Sequence, residues 1–304
     1  MQKVIFTKDN EVLIGKHKYI GKELDLDDVL NIKEYNLKVK HYPKGKFKAV
    51  MCNFKTFKLP VPGEAKFRKH DYSQFYSEDY KAKLDKEKEA QNAKRAIDAI
   101  YDIVYLNPDM NWFVTLTIDP KKINASSPEK VYDKLKNFLS NAVQLKSLKY
   151  LILSEYHKKK DRRIHLHCLM NEALELKFSK RYKVEGFKKP MGMRKIFAKG
   201  LQDRPRKEVY NVIDWKYGYS TAIKLDDDSD NVAGYVSKYI SKDVENTKIF
   251  GRHYLSSKNI ERYPVIELVN VPFSRYDELN VKEYDCEWND FKYKYWDNFT
   301  RKVL

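Results

Sequence analysis

Two histidines one residue apart, His165 and His167, sit in the run Ile164-His165-Leu166-His167-Cys168. On a β-strand alternate residues share a face, so both imidazoles point one way while Ile164, Leu166 and Cys168 point the other. Paired imidazoles on one face are well placed to grip a divalent metal. A preceding strand-like run, Tyr150 to Tyr156, is joined to Ile164–Met170 by the basic turn Lys158-Lys159-Lys160-Asp161-Arg162. With a hairpin centred on Lys160, Glu155 falls opposite His165, where Cβ atoms are about 4.5–5.5 Å apart. Glu155 is thus a candidate third ligand, with His167 on the diagonal. His157 shares the same parity and is a rival nearer the turn. The competing reading is structural: a chance His pair, and a rim carboxylate paired with the basic turn. A register slip of one residue would turn Glu155 to the other face.

A second constellation is Gly234-Tyr235-Val236-Ser237-Lys238-Tyr239-Ile240-Ser241-Lys242-Asp243. Read as a helix, Val232, Val236, Ile240 and Val244 form a core stripe spaced by four. Tyr235 and Tyr239 form the adjoining stripe, one turn or about 6 Å apart along the axis. Lys238 and Lys242 form a third. A phenol has a pKa of about 10 and needs help to attack at neutral pH. A neighbouring Lys and a metal on the phosphate would supply positive charge, and the metal would also polarise the phosphoryl oxygen. Attack on DNA would leave a phosphotyrosyl link and a free 3′ hydroxyl. The alternative is that both tyrosines flank the core and both lysines are solvated.

The elements that must position these groups follow from periodicity and capping. Ser77 caps a charged helix with Glu78 and Asp79 in its first turn, and Asn107-Pro108 ends it. Trp112 to Ile118 is a β-branched run stopped by Pro120, with Val114, Leu116 and Ile118 on one face and Phe113, Thr115 and Thr117 on the other. Ser127-Pro128-Glu129 opens a second helix whose apolar positions Val131, Leu135, Phe138, Leu139 and Val143 keep helical spacing. Residues 177–199 carry nine Lys/Arg and one Glu. They read as a solvated loop or DNA-facing insertion whose Lys188, Lys189, Arg194 and Lys195 meet phosphates, as would Lys158, Lys159, Lys160, Arg162 and Arg163. Trp215, Tyr217 and Tyr219 are expected to pack in the core, stacking on unpaired bases being the alternative. A third helix is expected over about 231–244, and short strands around Val265 to Val271. Asp226, Asp228 and Asp230 mimic a calcium loop, but Asn231 and Ser237 stand where it needs Gly and Glu. This succession reads as α+β, around an antiparallel sheet.

The chain has 304 residues, 60 Lys+Arg against 43 Asp+Glu, and a formal charge of +17. An excess this large points to a polyanionic partner such as nucleic acid. With 23 Tyr and 15 Phe the chain has ample material for a core. Cys52, Cys168 and Cys286 are too few and too scattered for a disulfide framework or a Cys-rich zinc site. No apolar run approaches the length of a membrane span, no signal peptide is legible at the start, and a cytoplasmic chain is expected. Each Gly-Lys pair (Gly15-Lys16, Gly21-Lys22, Gly45-Lys46) lacks the Ser or Thr of a phosphate-binding loop, so no ATPase of that class is expected.

A Thr-Leu-Thr strand, then His-Leu-His on a strand, then Tyr-x-x-Lys-Tyr-x-x-Lys on a helix, in that order, resembles the rolling-circle replication initiators of the HUH endonuclease superfamily. The likeness is to the replication-associated proteins of small single-stranded-DNA phages, of microvirus and inovirus type, and to related plasmid initiators. It covers about residues 110–260. Phe113 to Asp119 resembles the first motif, His165 and His167 the metal-binding pair, and Glu155 stands where the third ligand usually lies. Tyr235 and Tyr239 resemble the paired nucleophiles, with Lys238 and Lys242 as their accompanying lysines. The resemblance implies an RRM-like antiparallel sheet with flanking helices and the His pair on a central strand. It implies a site-specific single-strand DNA endonuclease that uses Mg²⁺ or Mn²⁺ and forms a 5′-phosphotyrosine. Its partners would be single-stranded or supercoiled origin DNA and the helicase and DNA polymerase of a bacterial host. The expected organisation is a basic β-rich arm (1–75), the endonuclease domain (76–260) and a C-terminal extension (261–304). Two rivals stand beside it: a non-catalytic nucleic-acid-binding protein on an RRM-like sheet, and a mobilisation relaxase or transposase of the same superfamily.

Overall fold

The computed structural model describes residues 4–6, 11–14, 17–20, 35–56, 77–156, 163–187, 189–225, 248–269, 271–272, 274–278, 280–285 and 292–297. In chain order the first elements are β1 (Val4–Phe6), β2 (Glu11–Ile14), β3 (His17–Ile20), β4 (Tyr35–Tyr42), β5 (Lys46–Thr56), α1 (Glu78–Leu106), β6 (Trp112–Thr117) and α2 (Pro128–Lys146). Next come β7 (Tyr150–Tyr156), β8 (Ile164–Met170), β9 (Leu176–Val184), α3 (Met193–Ala198), β10 (Arg206–Val212) and β11 (Ser220–Lys224). The last are β12 (Leu255–Ser256), β13 (Val265–Val269), α4 (Ser274–Glu278), β14 (Glu283–Asp285) and β15 (Lys292–Asp297). They make an α+β protein with two large, mainly antiparallel sheets.

The contacts divide the chain into two compact units, one of residues 1–76 with 261–304 and one of residues 77–260. In the first, the order across the sheet is β1-β2-β3-β13-β4-β5-β15-β14. The arm and the C-terminal extension thus share one sheet: β13 lies parallel to β3 and antiparallel to β4, and β15 pairs with β5. The buried Asn36 amide donates to the Val271 carbonyl and accepts from the Val271 N–H, both at 2.7 Å.

In the second unit the order is β12-β7-β8-β6-β11-β10-β9, antiparallel throughout. The sheet's packing follows from alternation. Val114 and Leu116 on β6, Ile164, Leu166 and Cys168 on β8, and Ile152 on β7 share one buried cluster with Val131, Leu135, Phe138, Leu139 and Ala142 of α2. Each such buried aliphatic contributes about 1.5–3 kcal/mol. The ends of α2 are set locally: Ser127 Oγ accepts from the Lys130 N–H, Pro128 occupies the first turn, and Ser147 closes the helix at φ 53°. Likewise Ser77 Oγ accepts from the Tyr80 N–H at the start of α1, and the Asn107 amide donates to the Ile103 carbonyl at its end.

Residues 177–199 are not the loop their charge suggests. They form most of β9, which pairs with β10, and then α3, with Val184, Met191, Ile196 and Leu201 in a small core of their own. Apolar residues on alternate positions of β9 and a few in α3 suffice to order this basic stretch. The expected helix over 231–244 and the acidic loop before it lie outside the described residues. Among the described residues no helix is long and apolar enough to cross a membrane.

Candidate active site

The hairpin of β7 and β8 pairs in the expected register, with Glu155 opposite His165 and Leu153 opposite His167. On the other side of β8, Thr117 is opposite His165 and Thr115 opposite His167. The strand bearing both histidines is therefore flanked on each side, and its alternation is sharp: Ile164, Leu166 and Cys168 are buried, His165 and His167 half-buried. Burial pushes the Cys168 thiol well above its usual range, so it acts as a core residue and not as a nucleophile.

Glu155 Oε2 and His167 Nε2 are 3.1 Å apart, the imidazole side chain being 14% exposed and the carboxylate 37%. His167 Nδ1 lies 3.5 Å from Thr115 Oγ1, and the Phe113 ring stacks on the imidazole with centroids 6.0 Å apart. His167 is thus held through both nitrogens and one ring face. Thr117 ties the next strand to this one: its hydroxyl donates to the Tyr219 carbonyl at 2.8 Å and accepts from the Tyr219 N–H at 3.1 Å. Neither threonine bond is legible in the sequence, although alternation places Thr115 and Thr117 on one face of their strand.

Among the described residues no three His, Cys, Asp or Glu side chains gather closely enough to hold a metal ion. Two of the three expected donors, Glu155 and His167, are already in contact, and His165 lies on the same face. Two imidazoles and a carboxylate suit a divalent ion that accepts mixed N and O donors, as Mn²⁺ does.

The other expected site residues divide. Arg163 lines an open cavity of about 490 Å³ with Pro120, Asn124, Ala125 and Ser126. Lys189, Arg194 and Lys195 are exposed. Trp215 is core, edge-on to Phe138 and Tyr217, with its indole N–H donating to the Thr117 carbonyl at 3.0 Å. Tyr219 is 55% exposed. Tyr235, Tyr239, Lys238, Lys242, His157, Lys158, Lys159, Lys160, Arg162 and Lys188 lie outside the described residues. The described chain on either side of 226–247 is anchored. The Leu225 N–H donates to the Asn111 carbonyl at 2.7 Å, and Lys248 pairs with Glu89 of α1.

Residues 111–244 match the family model described as Replication-associated protein ORF2. No curated protein and no solved structure matches the chain. The matched segment opens one residue before β6 and includes α2, the β7–β8 hairpin and the run with both tyrosines, in the order that the motifs suggest. The histidine-bearing segment of this chain therefore belongs to that family of replication-associated proteins, and the resemblance to a rolling-circle replication initiator holds.

Proposed function

We propose that this chain is a site-specific single-strand DNA endonuclease and strand transferase that initiates rolling-circle replication through a covalent 5′-phosphotyrosine. A role in rolling-circle replication follows from the family. The observation that supports the chemistry is the juxtaposition of Glu155, His165 and His167 on one sheet face.

Tyr235 or Tyr239 attacks the origin phosphate through its phenolic oxygen. The bond from phosphorus to the 3′ oxygen breaks, and the proton lost by the phenol is balanced by one gained at the leaving oxygen. Lys238 and Lys242 favour the phenolate by their charge. Mg²⁺ or Mn²⁺ held by Glu155, His165 and His167 would polarise the phosphoryl oxygen. Thr115 and Phe113 hold the His167 ring in orientation. The free 3′ hydroxyl primes a host polymerase in the bacterial cytoplasm. With no phosphate-binding loop, unwinding falls to a host helicase. The second tyrosine, or the 3′ hydroxyl, resolves the product.

The test is adduct formation on circular single-stranded and supercoiled DNA carrying the origin, with Mn²⁺ or with EDTA. Tyr235→Phe and Tyr239→Phe keep the ring and delete the hydroxyl. Each single variant is expected to keep some adduct and the double variant none. His165→Ala with His167→Ala should abolish cleavage while sparing most DNA binding, which comes mainly from Lys/Arg contacts. Adduct in the double Phe variant would refute the nucleophiles. Undiminished nicking by the double Ala variant in EDTA would refute the metal and favour a structural role for the Glu155–His167 bond.

A further inference from the structure

The face that carries Glu155, His165 and His167 continues sideways across the sheet. Thr115 on β6 is opposite His167, and Thr221 on β11 is opposite Thr115. Tyr210 is opposite Ala222, so the next pair along, Asn211 and Thr221, are neighbours, and Asn211 is opposite Lys177 on the edge strand β9. One polar row therefore runs His167, Thr115, Thr221, Asn211, Lys177. At about 4.8 Å per strand it is about 19 Å long. The two-residue irregularity in β9, with Lys180 at φ 57°, does not break it, because two extra residues leave the alternation of faces intact.

The neighbouring rows show which side is open. Behind lie Phe113 and Val209, both buried. In front lie His165, Thr117 and the exposed Tyr219. The polar row itself is half-buried at Thr115, Thr221 and Asn211 and exposed at Lys177. Asn211 Oδ1 is buried and has no hydrogen-bond partner. A buried amide oxygen without a donor is uncommon and calls for an explanation. The donor it lacks is of a kind that DNA supplies: the exocyclic amino group of an unpaired base. Phosphate oxygens only accept, and the ammonium of Lys177 beside it suits them.

We infer that this row is the track by which the unpaired strand reaches the Glu155–His165–His167 site, Lys177 holding a backbone phosphate and the Asn211 amide bonding the amino group of a base. The inference rests on the single-strand DNA reading above and adds its specificity element.

Binding of the full chain to fluorescein-labelled oligodeoxycytidine and oligodeoxythymidine, measured by anisotropy in EDTA over a salt series, tests it. Cytosine carries the amino group and thymine does not. Wild type should bind the cytidine strand more tightly. Asn211→Ala should lose about tenfold on the cytidine strand and little on the thymidine strand. Asn211→Thr, which suits a strand, should do the same and guards against misfolding. Lys177→Ala should weaken both and lower the salt slope by about 0.7. Lys136→Ala, an equal charge change on α2 against the opposite face, should change neither. Wild-type binding by the Asn211 and Lys177 variants, or an equal loss from Lys136→Ala, overturns the track. A wild-type chain that binds no single strand overturns both the track and the DNA reading. Binding with these effects but no cleavage overturns the endonuclease alone.

Discussion

His167 is the most constrained side chain of the candidate site, and its constraint is a matter of protons. While Nε2–H donates to Glu155, Nδ1 must accept from the Thr115 hydroxyl. If Nε2 instead gives its lone pair to a metal, Nδ1–H donates to the same hydroxyl. Thr115 serves either tautomer because a hydroxyl both donates and accepts. Thr115→Val keeps the branched shape and removes that partner, and it should weaken Mn²⁺ binding by about tenfold, read by electron paramagnetic resonance titration. Unchanged affinity would reduce Thr115 to packing. A second histidine works on stability. His253 is buried near Glu89 and Lys248, and burial first, then the Lys248 charge, holds its pKa below the ordinary range while Glu89 opposes them. A depressed folded-state pKa means that the unfolded chain binds the proton more readily. The contribution is intact above the unfolded value of about 6.5 and is lost as pH falls below it. Melting temperatures between about pH 7.5 and 5.5 should therefore fall less steeply in His253→Gln than in wild type, and parallel curves would contradict this. The His face is legible from two-residue periodicity alone. The Thr115 and Thr117 bonds are not, because they depend on strand pairings about fifty or more residues apart in sequence.

The elements that read correctly are those whose instructions are local. Ser77 and Ser127 cap helices that begin where their side chains direct, and the short turn after Tyr156 sets the register that brings Glu155 to His165. Local charge misleads at 177–199, where Lys and Arg hide an alternation of Leu176, Phe178, Tyr182 and Val184 on one face of an edge strand. Basic side chains on an edge are a common means of keeping it from pairing with other chains. The start of β11 depends on a close approach that no sequence pattern announces. A Cβ on Gly218 would overlap the Thr117 carbonyl oxygen and stand 2.8 Å from the Asp119 nitrogen. These are backbone atoms that cannot rotate away, and they lie between the Thr117 and Asp119 bonds to Tyr219 and Tyr217. Gly218→Ala should cost about 3 kcal/mol by forcing β11 from β6. It should also loosen Thr117, the residue opposite His165. An unchanged urea midpoint would show that the strands yield without loss.

At the scale of the whole molecule, the charge of +17 is the plainest sign of a polyanionic partner, and the family agrees with it. What composition cannot show is that the two ends of the chain form one sheet. Arm and extension each read as short β-runs, and nothing in either names its partner, since pairings more than two hundred residues apart leave no local pattern. The sheet order makes the extension indispensable: β13 stands between β3 and β4, and β15 covers the outer edge of β5. Removing residues 261–304 would split the sheet into the β1–β3 meander and the β4–β5 hairpin. It would also leave the buried Asn36 amide without the Val271 backbone that satisfies both its groups. A two-stranded hairpin is marginal in water, and a buried amide stripped of its partners costs about 1–3 kcal/mol for each unmet group. Residues 77–260 keep their own sheet, with the α2 cluster intact. Hydrogen exchange on a chain ending at residue 260 should therefore lose protection over 35–56 and retain it over 112–117 and 164–170. Protection kept in β4 and β5 would mean that the arm folds without the extension, and its loss in β8 would mean that the two units stabilise one another.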